Sequence, residues 1–185
     1  MILSICIPTL PEPKSQQHLA NLMAILSPQL NDQVELVIDD RGRNVPTGTK
    51  RNDMYAKAQG EYVVSVDCDD WVSPDYISEI IKAAESKPDV ITFDGYMTTN
   101  GIAKVDWIIK LGEKYEARQD ADGITRYYRF PNHIVPIKRS IATQVRFPDI
   151  WQGEDYAWAV KVKDLLRTEI HIYKQLYHYK FITDK

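Results

Sequence analysis

Three carboxylates stand close together in Val66-Asp67-Cys68-Asp69-Asp70-Trp71. Like charges held this tightly repel, and a bound divalent cation is the natural way to stabilise them. Oxygen ligands suit both Mg²⁺ and Mn²⁺, and Mn²⁺ also accepts imidazole. The alternative is a solvated acidic turn, so the surroundings of the cluster decide. Before it, Tyr62 to Val66 is a β-branched and aromatic run that predicts a buried strand. After it, Pro74 fits the first turn of a helix with Ser73 as its cap. The aspartates therefore fall at the carboxyl end of a strand, where open α/β sheets bind their ligands.

Other side chains of the same chemical kind follow apolar runs or open helical ones. Asp39-Asp40 closes the strand expected over Val34 to Ile38, where Asp also commonly hydrogen-bonds its own backbone. Glu154-Asp155 opens a helical pattern, a position that favours acidic residues through the helix dipole. Arg51, near the start of another helix, has the forked geometry that grips phosphate oxygens, whereas Lys50 reads as a surface residue. His133 precedes the apolar run Ile134 to Ile137, and His178 lies in Leu176-Tyr177-His178-Tyr179. His18 and His171 have no motif around them and read as surface. Cys68 reads as a linker in the acidic loop rather than a nucleophile.

The elements that must position these groups alternate. A strand over Ile2 to Ile7 is followed by the stiff loop Pro8-Thr9-Leu10-Pro11-Glu12-Pro13 and a helix that carries Leu19, Leu22, Met23 and Leu26 on one face. The second strand, a polar loop over 41–48 and a helix from about Thr49 to Ala58 lead to the central strand. Pro88-Asp89 opens a further strand, Val90 to Phe93. Such alternation predicts right-handed crossovers and a largely parallel sheet flanked by helices. After Asp94 the pattern changes. Asn100-Gly101 signals a hairpin, while 113–130 has no clean period. A short strand over Ile134 to Ile137 and a short helix over Lys138 to Val145 follow. A helix over Glu154 to Leu166 and two strands, Glu169 to Tyr173 and Leu176 to Phe181, end the chain.

Length and composition set limits on these readings. A chain of 185 residues suits one domain with a full core. A net charge of −3 argues against a large nucleic-acid footprint. Two cysteines make no disulfide framework. The sequence enters a strand at once and holds no stretch of membrane-spanning length, so a cytoplasmic protein without a membrane span is the expectation.

Taken together, these motifs resemble family-2 glycosyltransferases of the GT-A fold. The likeness rests on Ile5-Cys6-Ile7-Pro8, Asp39-Asp40, Gly48-Thr49-Lys50-Arg51-Asn52-Asp53, Ala56-Lys57-Ala58-Gln59-Gly60-Glu61-Tyr62, the aspartate cluster and Glu154-Asp155, in that order. Arg41-Gly42-Arg43 departs from the family, which more often has Gly-Ser after its Asp-Asp pair. The resemblance implies a single domain over 1–185, with a nucleotide-sugar donor half over about 1–95 and an acceptor half over about 96–185. It implies an inverting, metal-assisted transfer from a nucleotide-diphosphate sugar, UDP-linked in preference, to a carbohydrate-bearing acceptor, with Mn²⁺ or Mg²⁺ as cofactor.

By the same resemblance Pro8, Thr9, Asp40, Arg51, Asp67, Cys68 and Asp69 would line the donor site, with Asp40 reading the base. Asp69, Asp70 and His178 would ligate the metal, and Asp155 would be the catalytic base. His133, Glu154 and Trp151 would support the acceptor side. Tyr127, Tyr128 and Phe130, with Trp107 and Trp151, would form an aromatic platform under an acceptor sugar, and specificity would sit in Met97 to Phe130. Two other readings stay open: a nucleotidyltransferase, disfavoured by a first loop without glycine, and a carbohydrate-binding module without catalysis.

Overall fold

The computed structural model describes residues 1–183, so Lys185, the expected end of the acceptor half, lies outside the described residues. In chain order the elements are β1 (Leu3–Pro8), α1 (Pro13–Leu26), β2 (Val34–Asp39), α2 (Thr47–Lys57), β3 (Tyr62–Ser65), β4 (Trp71–Val72), α3 (Tyr76–Ala84) and β5 (Val90–Thr99). There follow β6 (Ala103–Ile109), β7 (Glu116–Gln119), β8 (Thr125–Arg129), β9 (Ile137–Lys138), α4 (Arg139–Ala142), α5 (Glu154–Val162) and β10 (Glu169–Phe181). They build a mixed α/β fold with a mostly parallel central sheet and helices against it, as the alternation predicts.

In the first half β1 lies between β2 and β3 with all three parallel, Ile5 standing opposite Leu36 and Val64. Every residue of β1 and β3 is buried, the mark of a strand covered on both faces. Pro8 is in register with Asp39, so the loops after β1, β2 and β3 leave the sheet at one edge. The helix after the aspartates begins later than Pro74 implies, with Asp75 and not Ser73 before its first turn. The short strand β4, paired antiparallel with Tyr177 and His178 of β10, takes up the intervening chain. Ser73 instead donates its hydroxyl to the Asp75 carboxylate at 2.7 Å. Gln29 completes the helix start by accepting from the Ile77 N–H at 3.0 Å.

Beyond Asp94 the structure resolves what the periodicity left open. β5 runs on through Thr99, turns at Asn100 and Gly101, both at positive φ, and returns as β6. The stretch without a period is a second hairpin, β7 and β8, with β8 parallel to β6. The two expected C-terminal strands are one long strand, β10, parallel to β5 and broken in register between Ile172 and Tyr177. Those irregularities, around Lys174-Gln175, made one strand look like two. The strand expected over Ile134 to Ile137 narrows to β9, because the chain before it runs past the end of β3. There the Ser65 N–H donates to the His133 carbonyl at 2.8 Å. The following helix shortens to α4, and the helix from Glu154 is α-helical to Val162 before a 3₁₀ turn, Lys163–Leu165. None of the helices in the described residues is long and apolar enough to cross a membrane.

Candidate active site

The loops at the shared strand edge and the start of α1 enclose a cavity of about 570 Å³, within the size range of small-molecule sites. Pro8 and Thr9 line it from the end of β1, and Asp67, Cys68 and Asp69 from the end of β3. Trp151 and Gln152 close it from the loop before α5. The sequence reading missed the basic side of this cavity, formed by Lys14, His18, Arg43 and Lys50. Lys14 and His18 are four apart on α1, a spacing that puts them on one face of a helix starting at the cavity. Cations along one wall and two carboxylates at the other end suit a ligand that carries phosphate and shares a metal. Burial pushes the Cys68 thiol up to about 11, which keeps it neutral and unsuited to nucleophilic work.

Lys50, expected at the surface, is buried. Its ammonium donates to the Thr9 carbonyl at 2.6 Å and to the Arg41 carbonyl, pinning the loops after β1 and β2 together. Of the Asp-Asp pair, Asp39 is the buried member. Burial alone would raise its pKa, but hydrogen bonds from Arg41, at 2.5 Å to Oδ2, outweigh that and hold it below the usual carboxylate value. Asp40 is exposed and lies outside the cavity lining.

Arg51 is sealed inside the protein, at 3 % exposure, and not among the cavity-lining residues. The phosphate contact expected of it gives way to an internal one. Its Nε donates to Glu154 at 3.2 Å, its Nη2 to Asp67 at 2.7 Å, and its Nη1 to the Ser65 hydroxyl. The guanidinium thus joins α2, the end of β3 and the first turn of α5. Desolvation works against the charge on Arg51, but Asp67 and Glu154 more than offset it and its pKa rises. For Asp67 burial again pushes the pKa up, and the Arg51 charge with His133 overrides it, leaving a strongly lowered value.

The three aspartates do not act as one set. The Asp70 carboxylate is buried, accepting from the Tyr177 hydroxyl at 2.7 Å and the Lys180 N–H at 2.8 Å. Burial, and the neighbouring Asp67 and Asp69, drive its pKa well up despite those bonds. Asp70 thus faces inward and braces β4 against β10, which disagrees with the expected metal role. His178 is likewise apart from the cavity. It stacks on Tyr96 with ring centroids 4.3 Å apart and shares a 2.8 Å hydrogen bond with Thr98. Among the described residues no three His, Cys, Asp or Glu side chains converge as a metal cage. The cavity still fits a hard cation of the kind held by one or two carboxylates and the ligand's own phosphates, with Asp69 as the lining carboxylate.

Asp155 occupies the first turn of α5 with its side chain 41 % exposed, while Glu154 beside it points inward to Arg51. His133 lies between Asp67 and Asp155. Its Nε2 is 3.4 Å from Asp67 and its Nδ1 is 3.7 Å from Asp155. The segment before α5 is seated on α2: Asn52 exchanges hydrogen bonds with the Phe147 main chain at 2.8 and 2.9 Å, and Thr49 donates to Asp149 at 2.9 Å. Gly48 permits that contact, since a Cβ there would fall 1.8 Å from the Pro148 carbonyl oxygen. Gly48→Ala is expected to cost about 1–3 kcal/mol through overpacking, read as a lower denaturant midpoint. An unchanged midpoint would show that the 147–150 segment moves freely.

The aromatic residues divide differently from expectation. Trp107 is wholly buried in the core, and Tyr128 donates to Asp120 with the Arg118 guanidinium 3.5 Å over its ring. Tyr127 is only partly buried and packs against the core. Trp151 belongs to the cavity, at 41 % exposure. Phe130 packs instead with Tyr115 and Tyr156, two rings that the sequence reading left out.

The architecture is that of a GT-A transferase. Crystal structures of S. aureus TarS superpose on it: residues 1–349 in complex with UDP-GlcNAc and in complex with UDP each give a TM-score of 0.67, at 15% and 16% identity. Each covers 97% of this chain, and the chain spans 58% and 60% of theirs, about three fifths of their length. A search of curated protein sequences gives no match. The family model described as Glycosyl transferase family 2 matches residues 14–151. The chain therefore belongs to glycosyl transferase family 2.

Proposed function

We propose that the protein transfers a sugar from a UDP-linked donor to a hydroxyl of a carbohydrate-bearing acceptor, with inversion at the anomeric carbon. The observation that carries this reading is one arrangement: a phosphate-suited cavity lined by Asp67 and Asp69, with His133 between Asp67 and the half-exposed carboxylate of Asp155 at 3.4 and 3.7 Å. The crystallised complexes of TarS with UDP and UDP-GlcNAc support the choice of nucleotide. In this reading residues 1–185 act as one unit, with the donor half before about residue 95 and the acceptor half after it. The free cysteines Cys6 and Cys68 are compatible with a reducing compartment, and the reading places transfer in the cytosol.

Donor diphosphate would lie along the basic side of the cavity, beside Lys14 and Arg43, with Lys50 fastening the loops beneath it. Mn²⁺ or Mg²⁺, held by Asp69 and the phosphates, would stabilise the charge of the leaving diphosphate. Asp155 takes the proton from the acceptor hydroxyl as its oxygen attacks the anomeric carbon. The bond from that carbon to the β-phosphate oxygen breaks, and UDP leaves with the electron pair. His133 lies between the two carboxylates, 3.4 Å from Asp67 and 3.7 Å from Asp155.

A thermal-shift panel of UDP, GDP, CMP and dTDP, each with Mn²⁺, Mg²⁺ or EDTA, tests the donor site. UDP at a hundredfold excess over its dissociation constant is expected to add about 2.7 kcal/mol to stability, lost with EDTA. No response to any nucleotide under either metal would sink the assignment. The two neighbouring aspartates should then separate. Asp69→Asn is expected to abolish the EDTA-sensitive part of the shift. Asp70→Asn should keep it, at a lower melting temperature, because asparagine can accept from only one of Tyr177 and Lys180. Loss of the shift in Asp70→Asn would return that residue to the metal.

A further inference from the structure

Two tyrosines that the donor site does not use stand exposed next to the proposed base. Tyr156 follows Asp155 in the first turn of α5 and is 51 % exposed, and Tyr115, in the loop between β6 and β7, is 38 % exposed. Their rings meet edge to face at 5.3 Å, and the buried Phe130 backs both, at 4.4 Å from Tyr115 and 6.0 Å from Tyr156. The cluster is fixed to the site from a second direction. The Asn132 side-chain amide donates to the Tyr115 hydroxyl at 2.9 Å, and the next residue is His133, which faces Asp155. Burial raises the pKa of Tyr115, the Asn132 bond and the Arg129 charge oppose it, and the Asp155 charge adds to the rise. Cationic groups edge the rings: the Arg129 guanidinium lies 5.6 Å from the Tyr115 centroid and the Lys163 ammonium 5.6 Å from that of Phe130.

We infer that Tyr156, held by Tyr115 and Phe130, is the platform on which the sugar ring bearing the accepting hydroxyl stacks. The inference rests on the transferase reading and adds to it the acceptor subsite. A pyranose offers an apolar face of C–H groups and an equatorial rim of hydroxyls. The exposed Tyr156 ring, edge to face with a Tyr115 that has the Arg129 guanidinium over it, offers an aromatic surface with polar groups nearby. A purely apolar partner would leave those polar groups without exchange for their water. Position favours a sugar too, because Tyr115 of the cluster is held by Asn132, next to the His133 that lies 3.7 Å from Asp155. Large aromatics left exposed together need a reason, and here the base beside them supplies it.

The test measures saccharide binding apart from transfer. Wild type, Tyr156→Phe, Tyr156→Leu and Tyr156→Ala are titrated with methyl glycosides of glucose, galactose and N-acetylglucosamine, and with cellobiose, lactose and chitobiose. Saturation-transfer NMR in saturating UDP and Mn²⁺ gives the dissociation constants. At least one saccharide is expected to bind wild type, to bind Tyr156→Phe within about twofold, and to weaken about tenfold in the leucine and alanine variants. The leucine variant keeps apolar contact and removes only the aromatic face. The melting shift with UDP is expected to be the same in all four proteins. Wild-type affinity in Tyr156→Leu, or no saccharide bound by a wild-type protein that still responds to UDP, would overturn the platform. Saccharide binding lost in Tyr156→Leu, with no UDP response in any protein, would support the platform and overturn the transferase reading instead.

Discussion

Arg51→Met is expected to lower the stability of the fold by about 3–5 kcal/mol, the cost of stranding the buried partners of an ion pair. Glu154 and Asp67 both lean on this guanidinium, at 3.2 and 2.7 Å, and Glu154 is as deeply buried as Arg51. Chemical denaturation gives the loss directly. Arg51→Lys should recover little of it, because one ammonium cannot reach Glu154, Ser65 and Asp67 in the three directions that the fork serves. Adding Glu154→Gln to Arg51→Met should restore part of the stability, since one of the two stranded charges is gone. A midpoint within experimental error of wild type, with UDP binding abolished, would instead make Arg51 a donor contact.

The same network sets the acid response. The folded-state pKa of Asp67 lies below its unfolded value of about 3.9. Its contribution is therefore present above that pH and is lost as pH falls from about 4 towards the folded value. Wild type should accordingly lose stability on acidification below about pH 4. In Arg51→Met that limb should flatten, because the cation that depresses Asp67 is absent. Equal slopes in the two proteins would show that His133 and solvent, rather than Arg51, hold Asp67 ionised.

How far the sequence could be read depends on the range of the interaction concerned. The runs at Leu3–Pro8 and Tyr62–Ser65 declare themselves because burial on both faces leaves a local record of apolar residues, while the edge strand Val34–Asp39 shows as an apolar run though only its ends are fully buried. Their shared carboxyl edge then follows from topology, and with it the placing of Pro8, Thr9, Asp67 and Asp69 around one cavity. Roles within a motif are a different matter. Asp69 and Asp70 are neighbours of one residue type, and only the distant Tyr177 and Lys180, brought over by β10, turn one of them inward. Lys50 and Arg51 look like the exposed start of a helix until the loops they fasten are in place. Tyr115 and Tyr156 lie 41 positions apart in sequence, too far for any period to relate them.

The proposed base is not itself anchored in the fold: Asp155 is 41 % exposed, and its neighbour Glu154 makes the buried contact. Asp155→Asn is expected to reduce the rate of UDP release from the UDP-linked donor that supports turnover, with a bound saccharide acceptor, by about 10²–10⁴-fold, the usual contribution of a positioned general base. Asparagine keeps the size and the acceptor oxygen of the side chain but cannot take the proton. The structural loss should stay near that of a charge in a first helical turn, about 0.3–1 kcal/mol, because the side chain is 41 % exposed and Glu154 makes the buried contact. UDP binding should survive, since Asp155 is not among the residues lining the donor cavity. Glu154→Gln supplies the opposite pattern, with stability falling first and turnover only as far as the position of Asp155 is disturbed. If Asp155→Asn turns over within about threefold of wild type, the proton goes elsewhere. His133, 3.7 Å from that carboxylate, would be the next group to replace.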